Sequence, residues 1–217
     1  EALAGHAEAL GDRPRAARAW LAAGEDALAR FASADARALL DRAVAAVPAD
    51  DPVLTGRIHL ARSRACESLA DFEPALHDVR AGVDHFRAAG ERRLEMTALR
   101  RYLSDLAPVV PAQELEQQLA TGVRIAHEFD DKAAQADLLG GQAILAANRL
   151  RFAEAIELGR RAVAAGRAGR NEEALAGGLD GLKTAYAYLG ETERLAPVLA
   201  ELEPLLRRQG RLHLLHW

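Results

Sequence analysis

The chain repeats a pattern of small residues and helix-ending residues at a nearly constant interval. Equivalent positions are 39, 40, 40 and 40 residues apart, at Ala36, Ala75, Leu115, Ala155 and Leu195. Boundary residues keep the same interval, at Asp50, Gly90, Asp130, Arg170 and Gly210. A constant period of this size is typical of proteins built from stacked repeats.

Each interval contains two amphipathic helical patterns. Apolar residues three or four apart predict the first helix of the second interval, at Leu54, Ile58, Ala61, Ala65 and Leu69. The second helix of the interval is predicted by Phe72, Ala75, Leu76, Val79, Gly82, Val83 and Phe86. No segment shows the alternation that is typical of strands. The sequence therefore predicts an all-α fold of antiparallel helix pairs that stack to bury their apolar faces.

We expect a single domain over residues 1–217. Its helix pairs should lie at about 12–50, 51–90, 91–130, 131–170 and 171–210, with the start of a further helix at 211–217. Because the chain begins with Glu1 and ends in this incipient helix, we expect it to be a fragment of a larger protein. Pro204, inside LAELEPLLRR, is expected to kink or interrupt the last full helix.

Composition narrows the classes of partner. The net charge is −4, which is not the strongly basic balance of a protein that binds phosphate backbones, so we expect no direct nucleic-acid binding. No apolar run approaches the roughly 20 residues of a membrane helix, so we expect no membrane association. The single cysteine allows no internal disulfide, which favours a cytoplasmic location.

The repeats resemble tetratricopeptide repeats. Phe72 and Phe152 stand at the aromatic position three residues before that motif's alanine, which Ala75 and Ala155 match. Further matches are Ala162, Tyr186 and Gly190, whereas the period exceeds the motif's 34 residues. The resemblance implies a right-handed superhelix, or solenoid, of helix pairs.

Residues 15–47 and the length of the helices resemble the helical-repeat regions of large bacterial signalling ATPases and LuxR-type transcriptional regulators. The resemblance implies a cytoplasmic regulatory protein in which this region docks a partner. We expect a protein-interaction or scaffold module whose partner is a protein, a peptide or another domain of the parent chain. The alternative is an arm that senses a small-molecule effector, with Trp20 and Tyr186 lining an apolar pocket. Self-association is also open.

The sequence offers few residues for catalysis or metal binding. Its seven histidines include no i, i+4 pair of the kind that binds zinc on a helix. Cys66 falls near the apolar stripe of its helix, so we expect a small buried thiol. The stretch GGLDGLK, residues 177–183, lacks the spacing of a phosphate-binding loop. We therefore expect no enzyme activity, no cofactor and no metal site.

A partner-binding groove is the one site that we predict. In tetratricopeptide arrays the first helix of each pair lines the concave face, and the residues at such positions are Arg57, Arg64, Arg100, Asp137, Ile144, Asp180 and Thr184. Arg57 and Arg64 lie seven residues apart on one helix, and Arg100 belongs to the next pair. We predict a partly basic groove floor that suits an acidic peptide or protein loop. The alternative is that these arginines form only a solvated helix face.

Overall fold

The fold is all-α, as predicted. The computed structural model describes residues 2–104, 106 and 109–210, and within them it contains eleven helices and no strand. They are α1 (Ala2–Ala9), α2 (Arg13–Ala29), α3 (Ser33–Ala46), α4 (Pro52–Ser68), α5 (Phe72–Ala88), α6 (Arg92–Ser104), α7 (Ala112–Glu128), α8 (Lys132–Asn148), α9 (Phe152–Gly169), α10 (Glu172–Leu189) and α11 (Thr192–Arg208). The further helix predicted at 211–217 lies outside the described residues.

Capping residues explain where several helices begin. The Asp51 carboxylate accepts a hydrogen bond from the backbone N–H of Leu54, and Asp131 caps α8 in the same way. Asn171 accepts from two backbone N–H groups at the start of α10. Pro52 occupies the first turn of α4, where its missing N–H costs nothing. These caps satisfy N–H groups that have no partner inside the helix.

Neighbouring helices pack in chain order within two compact units. The units are Glu1–Arg101 and Tyr102–Trp217, with the boundary inside α6. In the first unit α1 to α5 contact one another consecutively, and α2 also contacts α4. In the second unit α7 to α11 do the same, and α8 also contacts α10. The handedness and repeat period of a superhelix stay predictions.

The core of the first unit combines a few large side chains with small ones. Trp20, Leu40, Ile58 and Phe86 are fully or almost fully buried. The guanidinium carbon of Arg42 lies 3.6 Å from the centre of the Trp20 ring, a favourable cation–π contact.

The core of the second unit depends on glycine. A Cβ atom at Gly140 of α8 would lie 2.9 Å from the Cα of Gly177 in α10, so the two backbones touch. Gly178 faces α9 on the other side, where a Cβ would lie 2.8 Å from the carbonyl oxygen of Gly159. Helix α10 is therefore held against both neighbours at distances that no side chain would allow.

The turns that follow α2, α4, α8 and α10 each contain one residue in the left-handed conformation. These residues are Phe31, Ala70, Leu150 and Gly190, with φ between 58° and 70°. Only Gly190 takes up this conformation without strain, since a β-carbon disfavours it. Phe31 and Leu150 are also exposed, at 84% and 65%. The repeated geometry of the turn therefore prevails over the preference of the residue that occupies it.

Helix α11 corrects one expectation. It runs without a break from Thr192 to Arg208 through both Pro197 and Pro204, so the interruption expected at Pro204 does not occur. Val198, Leu202, Leu205 and Leu206 are buried along this helix, and their packing against the second-unit core outweighs the lost backbone hydrogen bonds.

Candidate partner-binding site

The candidate site is the solvent-exposed face of α4. Arg57 and Arg64 are both exposed, and their guanidinium groups have no hydrogen-bond or ion-pair partner among the described residues. Ile58, Ala61 and Ala65, on the adjoining part of the helix surface, are buried. Because residues seven apart fall on the same helix face, the two arginines point outward together.

Leu60 lies between these arginines and is half-buried. Its side chain leans over Gly82 of α5, where a Cβ atom would come within 3.0 Å of it. The absence of a side chain at Gly82 lets Leu60 sit low on the surface. We call Arg57, Leu60 and Arg64 the arginine strip.

Other arginines of the first unit contrast with the strip, because buried carboxylates hold them. Arg101 donates to both carboxylate oxygens of Glu67, each at 2.6 Å. Arg87 and Arg92 both bind Glu95, whose side chain is fully buried. Charge that is already neutralised inside the fold attracts a partner less than the unpaired charge of the arginine strip.

The remaining predicted groove residues are less available. Arg100 is half-buried on α6 of the first unit. In the second unit Asp137 accepts a hydrogen bond from Asn171 at 2.7 Å, and Asp180 pairs with Lys183 at 2.6 Å. Thr184 donates to the Asp180 carbonyl at 3.0 Å, and Ile144 is only 8% exposed. These four side chains, from Asp137 to Thr184, serve contacts within their own unit.

A charged cluster that the sequence did not predict lies behind the strip, on the other side of α4. Asp78 of α5 is 1% exposed and accepts two hydrogen bonds from Arg62, at 2.8 and 2.7 Å. His59 Nδ1 lies 2.8 Å from the same carboxylate, and Arg62 also reaches Asp41 of α3 at 2.9 Å. The cluster thus joins three helices. Its signal in the sequence is an aspartate inside the apolar stripe of α5, next to Val79.

The cluster borders an open cleft of about 540 Å³ in the first unit. Its lining residues are Arg37, Asp41, Arg62, Cys66, Asp71, Glu73, Pro74, His77 and Asp78. Arg37 binds Asp71 across the cleft at 2.8 Å. The lining is mostly polar and carries more acidic than basic side chains.

The surroundings shift the pKa values of Asp78, Cys66 and His85. Burial acts to raise the pKa of Asp78, but the hydrogen bonds from Arg62 and His59 outweigh it and hold that pKa below its usual value. Burial raises the pKa of Cys66, which favours the protonated, unreactive thiol. Burial, together with the neighbouring His59, lowers the pKa of His85, whose ring stacks on His59 at 5.8 Å.

Trp20 and Tyr186, considered as lining for an effector pocket, lie in the cores of their units. Among the described residues, no group of three or more histidine, cysteine, aspartate or glutamate side chains is arranged to hold a metal ion. None of the described helices has the length and hydropathy that a membrane span requires.

The chain matches no protein-family model and no curated protein sequence. The likeness to tetratricopeptide repeats and to bacterial regulators stays a prediction from the residues quoted above.

Proposed function

We propose that the chain is a protein-interaction module, and that the arginine strip of its first unit binds an acidic segment of a partner protein. The observation that carries the proposal is the pair of exposed, unpaired guanidinium groups at Arg57 and Arg64 on one face of α4. Guanidinium groups bind carboxylates through paired hydrogen bonds. The resemblance to repeat regions of bacterial regulators supports the same role, with the partner in the parent chain or in another protein.

Exposed charges set the strength of such binding. A solvent-exposed ion pair contributes about 0.2–1 kcal/mol, so two arginines alone give weak and salt-dependent binding. Their larger effect is on the rate of association and on the choice of partner. We therefore expect a transient interaction that weakens steeply as salt is added.

The test is a peptide-display selection on the whole chain. The wild type should enrich peptides rich in Asp and Glu, and Arg57→Glu/Arg64→Glu should lose them. The matched control is Arg124→Glu/Arg161→Glu, which changes the net charge equally at two exposed arginines of the second unit. Selection without acidic enrichment, or equal loss in both variants, would overturn the proposal.

The cleft beside Asp78 favours a second candidate, a small-molecule effector site. The cleft is open and holds about 540 Å³, and its charged lining suits a small charged molecule and not the apolar ligand of an enclosed pocket. The test is a thermal-shift screen of charged metabolites against the wild type and His77→Ala, which changes one lining residue. Stabilisation that disappears in the variant would support the site, and equal stabilisation of both proteins would refute it.

A further inference from the structure

We infer that the partner segment is an amphipathic helix that lies along α4, with acidic residues at i and i+7 and an apolar residue between them. This inference rests on the proposed function, since it names the kind of acidic segment that the arginine strip binds. Two observations carry it: the spacing of the arginines and the position of Leu60.

The spacing of the two arginines matches a helix and not a strand. Arg57 and Arg64 are seven residues apart on α4, which places them about 10.5 Å apart along the helix axis at 1.5 Å per residue. A helix lying along α4 has the same rise, so its own residues seven apart meet both arginines. In an extended segment, residues on one face are about 6.6 or 13.2 Å apart, because side chains alternate at about 3.3 Å per residue. Both distances match the spacing of the arginines less closely than the helical repeat does, so a helix needs less adjustment of the arginine side chains.

Leu60 supplies the apolar contact between the two charges. It lies three residues after Arg57 and four before Arg64, and it is half-buried over Gly82. A partner helix that sets its acidic residues on the arginines places residue i+3 or i+4 over Leu60. An apolar residue there shields the ion pairs from water, which strengthens them. The expected pattern is Glu-x-x-Leu-x-x-x-Glu or its reverse.

Three synthetic peptides of equal composition test the inference. The first is cross-linked into a helix with Glu at i and i+7 and Leu at i+3. The second is an equally cross-linked helix with Glu at i and i+5, which puts the carboxylates on different faces. The third has the sequence of the first with its central residues in D-configuration, so that no helix forms. Fluorescence anisotropy measures binding to the wild type, to Arg57→Glu/Arg64→Glu and to Arg124→Glu/Arg161→Glu, after circular dichroism has shown that each variant is folded.

We expect the first peptide to bind the wild type and the Arg124→Glu/Arg161→Glu control about tenfold more tightly than the other two, a preference that Arg57→Glu/Arg64→Glu abolishes. Equal binding of all three peptides, lost together in Arg57→Glu/Arg64→Glu, would overturn the helical register and leave the proposed function standing. No binding, or binding that this variant leaves unchanged, would overturn both.

Discussion

The buried Asp78 should contribute far more to stability than the exposed Asp41, although both bind Arg62. Asp78 is 1% exposed and Asp41 is 53% exposed. Replacing Asp78 by alanine removes two hydrogen bonds from Arg62 and the contact with His59. Removing one partner of a buried ion pair costs about 3–5 kcal/mol, because the other charge stays buried.

The structure points to the lower end of that range. Arg62 is 19% exposed and keeps Asp41 at 2.9 Å, so the orphaned guanidinium retains one carboxylate and some water. We expect Asp78→Ala to lower the free energy of unfolding by about 3 kcal/mol and Asp41→Ala by about 0.5 kcal/mol. The comparison is matched, since the same arginine loses one carboxylate in each variant.

Urea unfolding followed by tryptophan fluorescence measures both variants. A Trp217→Phe background leaves Trp20 as the single tryptophan, and Trp20 lies in the core of the first unit. At about 1–3 kcal/mol per molar urea, the expected loss for Asp78→Ala moves the midpoint by at least 1 M. A loss for Asp78→Ala no larger than that for Asp41→Ala would refute the reasoning.

The same cluster should respond to acid. Because the pKa of Asp78 is lowered from 3.8 in the folded chain, its contribution is complete above that value and is lost as the pH falls through the folded pKa. The difference in stability between wild type and Asp78→Ala should therefore narrow below about pH 4. A difference that stays constant down to pH 2 would contradict the assignment.

Three further substitutions have signed outcomes. Burial beside His59 lowers the pKa of His85 below 6.5, so the free energy of unfolding should fall as the pH drops from 6.5 towards the pKa of the folded state. His85→Gln should reduce this dependence on pH in urea titrations at pH 5–8. Leu150→Gly removes the strain of a left-handed leucine at φ 60° and should raise the free energy of unfolding by about 0.5–1 kcal/mol. A lower free energy of unfolding would show instead that contacts of the leucine side chain outweigh this strain. Gly140→Ala places a Cβ 2.9 Å from the Gly177 backbone and should destabilise by about 1–3 kcal/mol; the control Gly5→Ala, with open space around it, should not.

Much of the fold follows from periodicity. The apolar stripe of α4 is buried from Leu54 to Ala65 as predicted, because amphipathic spacing reflects burial directly. Cys66 is buried for the same reason. Leu69, which the predicted stripe included, follows the end of the helix and is 43% exposed. The interruption expected at Pro204 does not occur, because local propensity ignores the packing that holds α11 together. Helix α1 was not predicted, since its two buried residues, Ala4 and Ala7, give almost no hydrophobic pattern.

The site was predictable only in part. Exposure of Arg57 and Arg64 follows from their charge, because arginine is rarely buried without a partner. Which arginines remain unpaired does not follow, because pairing joins residues far apart in the chain. Arg101 and Glu67 are 34 residues apart, and Arg62 and Asp78 are 16 apart. Only the packed helices decide which carboxylate meets which guanidinium.

The contact between Gly140 and Gly177 has a consequence for how this sequence evolves. A Cβ atom would lie 2.9 Å from the facing backbone at Gly140 and 3.2 Å from it at Gly177, so a side chain at either position pushes α8 and α10 apart, most strongly at Gly140. Once the helices have moved, a side chain at the other position meets less resistance. The two substitutions are therefore strongly non-additive. While one glycine is present, replacing the other destabilises the chain. A lineage should therefore either keep both glycines or exchange both in quick succession, passing through an intermediate of reduced stability.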